Sequence, residues 1–77
     1  MIAEIFGSSG CGYCRKAKSL LKAKGIEYRE FIVGEDISGD ELSAKIGKPA
    51  LTVPQIFIDG EYVGGYTELA ARLGASG

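Results

Sequence analysis

Two cysteines stand three positions apart in the run Gly10-Cys11-Gly12-Tyr13-Cys14, and the 77-residue chain has no others. A pair at this spacing can exchange electrons as a dithiol, help to hold a metal, or sit inert. The chain has no histidine, which removes a Cys–His nucleophile. Two cysteines also cannot close a four-ligand zinc site within one chain, although ligation shared between two chains stays open. Redox exchange is favoured, because the pair lies next to a strand–helix–strand pattern, a recurrent setting for dithiol chemistry. The two sulfurs should differ. The residues before Cys11 read as a strand and a glycine-rich turn, and those after Cys14 read as a helix. Cys11 therefore sits at a helix mouth, where unpartnered N–H groups carry partial positive charge. A free thiol pKa of about 8.5 should fall there to somewhere in roughly 3.5–7.5. Cys14, one turn deeper on the apolar face, should be less exposed and keep a higher pKa. That asymmetry suits an attacking thiol at Cys11 and a resolving thiol at Cys14.

Three further features lie within reach of such chemistry. In Thr52-Val53-Pro54 the proline pushes Val53 toward extended geometry, so its backbone N–H and C=O can face a peptide-like ligand. The generic frequency of a cis X–Pro bond, about 5–6%, favours an ordinary strand start here. Gly64-Gly65-Tyr66-Thr67 reads by itself as a turn before a helix. Bare glycine backbone at a helix N-terminus would also suit a carboxylate. Arg15, Lys16 and Lys18 follow the cysteines closely enough to stabilise a thiolate or attract an anion, the alternative being a solvated face. Lys22 and Lys24, and the acidic run from Glu27 to Glu41, read as solvated surface.

The elements that must position these residues follow from periodicity and punctuation. Ile2 to Phe6 is a short apolar strand, and Gly7-Ser8-Ser9-Gly10 is a loop. Cys14, Ala17, Leu20 and Leu21 share a helical face, which Lys24 and Gly25 terminate. Tyr28 to Val33 reads as a second strand. Ser38 and Glu41 form a capping box with Ile37 and Leu42 as its hydrophobic staple, and Gly47 and Pro49 end that helix. Pro54 to Ile58 is a strand with proline at its first residue. Asp59-Gly60 is a two-residue hairpin turn into Glu61-Tyr62-Val63. Thr67 opens a last helix through Leu73, stopped by Gly74. The order β-α-β-α-β-β-α asks for a parallel pair with a right-handed crossover, then an antiparallel hairpin. A four-stranded mixed sheet with helices on both faces accommodates all of it.

Length and composition bound the rest. Residues 1–77 make one small domain with 45% apolar residues, enough for a thin core. A net charge of −1 gives no support for nucleic-acid binding. The start Met1-Ile2-Ala3-Glu4-Ile5-Phe6 has neither a basic n-region nor a long apolar run, so neither a signal peptide nor a membrane span is expected. A cytoplasmic protein is expected, where close cysteine pairs are more often catalytic or metal-binding than structural.

Taken together, Gly10-Cys11-Gly12-Tyr13-Cys14 with Ala17-Lys18, Gly47-Lys48-Pro49, Thr52-Val53-Pro54-Gln55-Ile56-Phe57 and Gly64-Gly65-Tyr66-Thr67 resemble the glutaredoxin family over nearly the whole chain. The small dithiol members of bacteria and their viruses are the most similar. The resemblance implies a thioredoxin-like fold, a cis bond before Pro54, and glutathione as co-substrate in the reduction of protein disulfides and glutathione mixed disulfides. It implies Cys11 as nucleophile, Cys14 as resolving thiol, and Tyr13 flanking the groove. Thr52, Val53 and Pro54 would lie along glutathione, with Val53 pairing to its cysteinyl backbone. Gly65, Tyr66 and Thr67 would surround its γ-glutamyl carboxylate. A monomer acting on disulfide-containing proteins is expected, with ribonucleotide reductase as a family-level candidate.

Four residues depart from the pattern. Gly12 stands where dithiol relatives usually have proline, Ser8 where many are basic, Leu51 where many are polar, and Glu68 where aspartate is common. Two alternatives follow. Gly12 leaves open a dimeric carrier of a [2Fe–2S] cluster held by Cys11 of each chain and two glutathiones. Ser8 and Leu51 leave open a thioredoxin-like electron donor served by a flavoprotein reductase.

Overall fold

The computed structural model describes residues 1–50 and 52–74, so the apolar character of Leu51 noted above lies outside the described residues. Seven elements follow in the expected order: β1 (Ile2–Gly7), α1 (Gly12–Ala23), β2 (Glu27–Ile32), α2 (Gly39–Ile46), β3 (Gln55–Ile58), β4 (Glu61–Gly64) and α3 (Tyr66–Arg72). The strands form one sheet in the order β2-β1-β3-β4. β1 runs parallel to β2 and antiparallel to β3, and β3 runs antiparallel to β4. This is the thioredoxin-like arrangement of a parallel crossover joined to a hairpin.

Alternation along the central strands sends side chains to two separate cores, because successive residues of a strand face opposite sides. Ala3, Ile5, Ile56 and Ile58 pack with Ala17 and Leu21 of α1 and Leu69 of α3. Phe6 and Phe57 pack on the other face against Leu42 of α2. Phe6 also stacks on Phe31 at 4.9 Å between ring centroids and meets Phe57 edge-on at 5.7 Å. Helices thus cover both faces, and the loop from β1 to α1 is anchored by a central strand whose last three residues are buried.

The punctuation signals have local causes. Ser38 caps α2 by accepting from the Glu41 N–H at 3.0 Å, while Glu41 accepts from the Ser38 N–H at 3.3 Å. Gly47 ends that helix at φ +78°, a left-handed conformation that costs a glycine little. Asp59 and Gly60 both have positive φ, as a two-residue hairpin turn requires.

Several boundaries differ by one residue, among them those of β2, β3 and α3. β2 runs from Glu27 to Ile32; Val33 still donates its N–H to the Gly7 carbonyl at 2.8 Å but bridges Ile37 beyond the strand. β3 begins at Gln55, since Pro54 has no N–H to pair and follows a cis bond from Val53. α3 begins at Tyr66 and not Thr67, because the Glu68 carboxylate accepts the Gly65 N–H at 2.7 Å and makes Gly65 the cap.

Candidate active site

β1 ends in Gly7, and the turn that follows delivers Cys11 to the N-cap of α1. Cys11 is extended, at φ −77° and ψ 115°, and its Sγ accepts the Cys14 N–H at 3.1 Å. The sulfur occupies the place of a capping oxygen, so a charge on it would face the first turn's unpartnered donors. Cys11 Sγ also lies 4.0 Å from the Val53 carbonyl oxygen, across the loop that precedes β3.

Cys14 lies one helical turn deeper. It is 1% exposed, and with Ala17 and Leu21 it forms the buried stripe of α1. Cys11 is partly exposed, and both are free thiols. Burial is the largest influence on Cys14, pushing its pKa from an ordinary 9.0 up to about 11. A hydrogen bond and the charge of Cys11 add to the rise, as does the charge of Glu30, whereas the Ser8 backbone works against it. The expected inequality of the two sulfurs in exposure is present, with its cause.

Two supports escaped the sequence reading. A β-carbon added at Gly7 would lie 2.4 Å from Cys14 Sγ, so only glycine leaves room for the sulfur. An isolated glycine ending an apolar strand was the available signal. Gln55 is the second, a polar residue 5% exposed inside β3. Its Nε2 donates to the Thr52 carbonyl at 2.9 Å and to Thr52 Oγ1 at 3.3 Å, while its Oε1 accepts from the Tyr62 hydroxyl at 2.5 Å. A satisfied buried amide of this kind holds the Thr52-Val53-Pro54 loop in register with the hairpin.

A hollow of about 180 Å³ includes Val53, whose carbonyl oxygen Cys11 Sγ approaches. Tyr13, Thr52, Val53, Pro54, Gly65, Tyr66 and Thr67, the seven residues singled out for a glutathione site, line it together with Glu68. Tyr13, 58% exposed, stands 6.0 Å from the Tyr66 ring and frames one side. The Gly65 N–H that the glycine pair was expected to offer to a carboxylate is held by Glu68. Of the nearby cations, Lys16 lies over the Tyr13 ring at 5.0 Å and Lys18 pairs with Glu30 at 2.9 Å. Gly12 is exposed, with nothing within 4 Å of where a β-carbon would stand.

Among the described residues, no three His, Cys, Asp or Glu side chains gather as a metal site would require. A cluster would draw on Cys11 alone in each chain, since Cys14 is sealed. No helix among the described residues is long and apolar enough to cross a membrane. The arrangement supports attack by one accessible sulfur on a disulfide laid along the hollow, with a second sulfur behind it.

Comparison with known proteins agrees with this geometry. The glutaredoxin family model matches residues 3–63. The chain is 47% identical to Glutaredoxin 1 of Escherichia coli (strain K12), covering 92% of this chain and 91% of that protein. Its structure is similar to that of reduced Escherichia coli glutaredoxin, with a TM-score of 0.83 and 42% identity, covering 96% of this chain and 94% of that one. It is also similar to buckwheat glutaredoxin in complex with glutathione, with a TM-score of 0.73 and 29% identity, covering 94% of this chain and 69% of that one.

Proposed function

This chain belongs to the glutaredoxin family, and from that premise we propose that it is a glutathione-dependent thiol–disulfide oxidoreductase acting on protein disulfides and glutathione mixed disulfides. The observation that carries the reading is the cysteine pair itself: an accessible sulfur capping α1, with a sealed sulfur one turn behind it. The Cys11 thiolate attacks one sulfur of the substrate disulfide, forming a mixed disulfide and expelling the other sulfur as a thiolate. Cys14 then gives up its proton to solvent and attacks Cys11 Sγ. The Cys11–Cys14 disulfide forms, the second substrate thiolate leaves, and two electrons have passed to the substrate. Two glutathiones reverse this at Cys11 and depart as glutathione disulfide.

Tyr13, Thr52, Val53, Pro54, Gly65, Tyr66 and Thr67 form the glutathione site in this reading. Extended backbone at Val53 suits the cysteinyl segment, and the start of α3 suits the γ-glutamyl carboxylate. Because Glu68 holds the Gly65 N–H, that carboxylate would take the N–H groups of Tyr66 and Thr67, or displace Glu68. Cytoplasmic location fits two cysteines that work as thiols. Protein disulfides are the substrate class, ribonucleotide reductase is the family-level candidate, and the working unit is a monomer.

Titration of the reduced protein with glutathione, followed by backbone amide shifts, tests the reading. Shifts at Val53, Gly65 and Thr67 are expected. Their absence, with turnover supported by thioredoxin reductase and not by glutathione with its reductase, would establish the thioredoxin-like donor instead. The open space at Gly12 keeps a shared [2Fe–2S] cluster as the second reading. Anaerobic reconstitution with iron, sulfide and glutathione should leave a colourless monomer, and a coloured dimer would put that reading first.

A further inference from the structure

A second hollow, of about 250 Å³, has both cysteines in its lining and shares no residue with the first. Its charged lining is Arg15 and Lys18 from α1 and Glu30 from β2, and the turn between β1 and α1 brings no charge to it. Lys18 follows Cys14 by four residues, so both stand on one side of α1. Lys18 Nζ and Glu30 Oε2 are 2.9 Å apart, with side chains only 26% and 33% exposed. Glu30 acts on both Lys18 and the sulfur, and the sulfur acts on Lys18. Glu30 raises the Lys18 pKa through their hydrogen bond, the charge of Cys14 raises it further, and the charge of Glu30 disfavours a charge on Cys14. Tyr28 of β2 is the other titratable group within electrostatic reach of Lys18.

These influences matter most at the resolving step. Once Cys11 is part of a mixed disulfide its sulfur carries no charge, so its own electrostatic hold on Cys14 disappears. Burial and Glu30 then oppose ionisation of Cys14 and the Ser8 backbone favours it; because the Cys14 charge reaches Lys18, the Lys18 charge must by reciprocity favour it too.

We propose that the Lys18–Glu30 pair sets the rate of resolution: Lys18 supplies the positive charge that favours the Cys14 thiolate, and Glu30 holds Lys18 beside the hollow while restraining that effect. Both are positioning residues, since neither touches the reacting bond. The proton of Cys14 passes to water in the hollow, the thiolate attacks Cys11 Sγ, the Cys11–substrate bond breaks, and the leaving thiolate takes its proton from solvent. The pair changes only how much Cys14 is ionised when this begins.

The inference rests on the dithiol reading above, and one experiment separates the two. Rapid mixing of the reduced protein with dipyridyl disulfide releases one thiopyridone when Cys11 attacks and a second when Cys14 resolves. A missing first phase would defeat the dithiol reading itself. Given a first phase, Lys18→Gln should slow the second about three- to tenfold at neutral pH, the reach of one charge across half-solvated space. Glu30→Gln should speed it by a similar factor, and the double variant should return close to the parent. The pH–rate line of the second phase should move to higher pH in Lys18→Gln and to lower pH in Glu30→Gln, and Lys18→Arg should restore it. A second phase that moves in the same direction in both variants, or in neither, overturns the proposal. Should Lys18→Gln not fold, Glu30→Gln and Lys18→Arg decide the matter by the same measurements.

Discussion

Gly7→Ala tests the packing logic behind the cysteine pair. Gly7 lies in a strand with no positive φ, so alanine meets no backbone obstacle there. The obstacle is Cys14 Sγ, which would lie 2.4 Å from the new β-carbon, about 1 Å inside ordinary contact. Cys14 is 1% exposed in the packed stripe of α1, so the change behaves as overpacking and should cost about 1–3 kcal/mol. In a domain of this size each kcal/mol lowers Tm by about 4–8 °C. A second background separates the clash with sulfur from any effect on the backbone. In Cys14→Ala the sulfur is gone, and the new methyl meets only the Cys14 β-carbon at 3.4 Å. There Gly7→Ala should be neutral or stabilise by about 0.5–1 kcal/mol, since alanine loses less entropy than glycine within a strand. The swing between backgrounds is then roughly 1–4 kcal/mol, readable by denaturant titration of four proteins. An equal cost in both backgrounds would refute the steric account and place the role of Gly7 in its backbone. In the parent background, displacement of Sγ should also slow resolution of mixed disulfides more than their formation.

Other outcomes follow from the same geometry. Cys11→Ser should abolish all turnover, while Cys14→Ser should retain removal of glutathione from mixed disulfides and lose most reduction of protein disulfides, measured with one substrate of each kind. Gly12→Pro should stabilise the protein by about 0.4–1 kcal/mol, because the first helical position needs no N–H and the space around it is open. Its unfolding midpoint in urea checks this, and a loss of stability would show that the Gly12 backbone is needed as it stands. Stability should fall between about pH 9 and pH 11. The unfolded thiol ionises near 9.0 and the folded Cys14 only near 11, so over that interval the unfolded chain binds fewer protons and is favoured as pH rises. Urea titrations across the interval should show this decline in the parent and a smaller one in Cys14→Ala.

What could be read from residues alone divides along sequence distance. The unequal exposure of Cys11 and Cys14 was legible because helix geometry fixes both within one turn. The capping box of Ser38 and Glu41 and the turn at Asp59-Gly60 were legible for the same reason. Gly7 against Cys14, and Lys18 against Glu30, were not, since each depends on how α1 crosses over the parallel pair β1 and β2. Gln55 escaped because its partners, Thr52 and Tyr62, meet only once the hairpin has closed. The start of α3 was misplaced by one residue because Glu68 competes for the glycine N–H through a side chain that periodicity does not weigh.

The sealing of Cys14 also determines which oxidants the protein can meet. A dissolved peroxide can reach Cys11 but finds almost no surface on Cys14. If Cys11 is oxidised to a sulfenic acid, the neighbouring thiol can condense with it, releasing water and giving the same internal disulfide that the catalytic cycle produces. From there two glutathiones recover the dithiol, whereas addition of further oxygen would not be reversed by them. Burial of the second sulfur thus gives the pair a single entrance for electrons, and it turns one kind of oxidative damage into an ordinary intermediate.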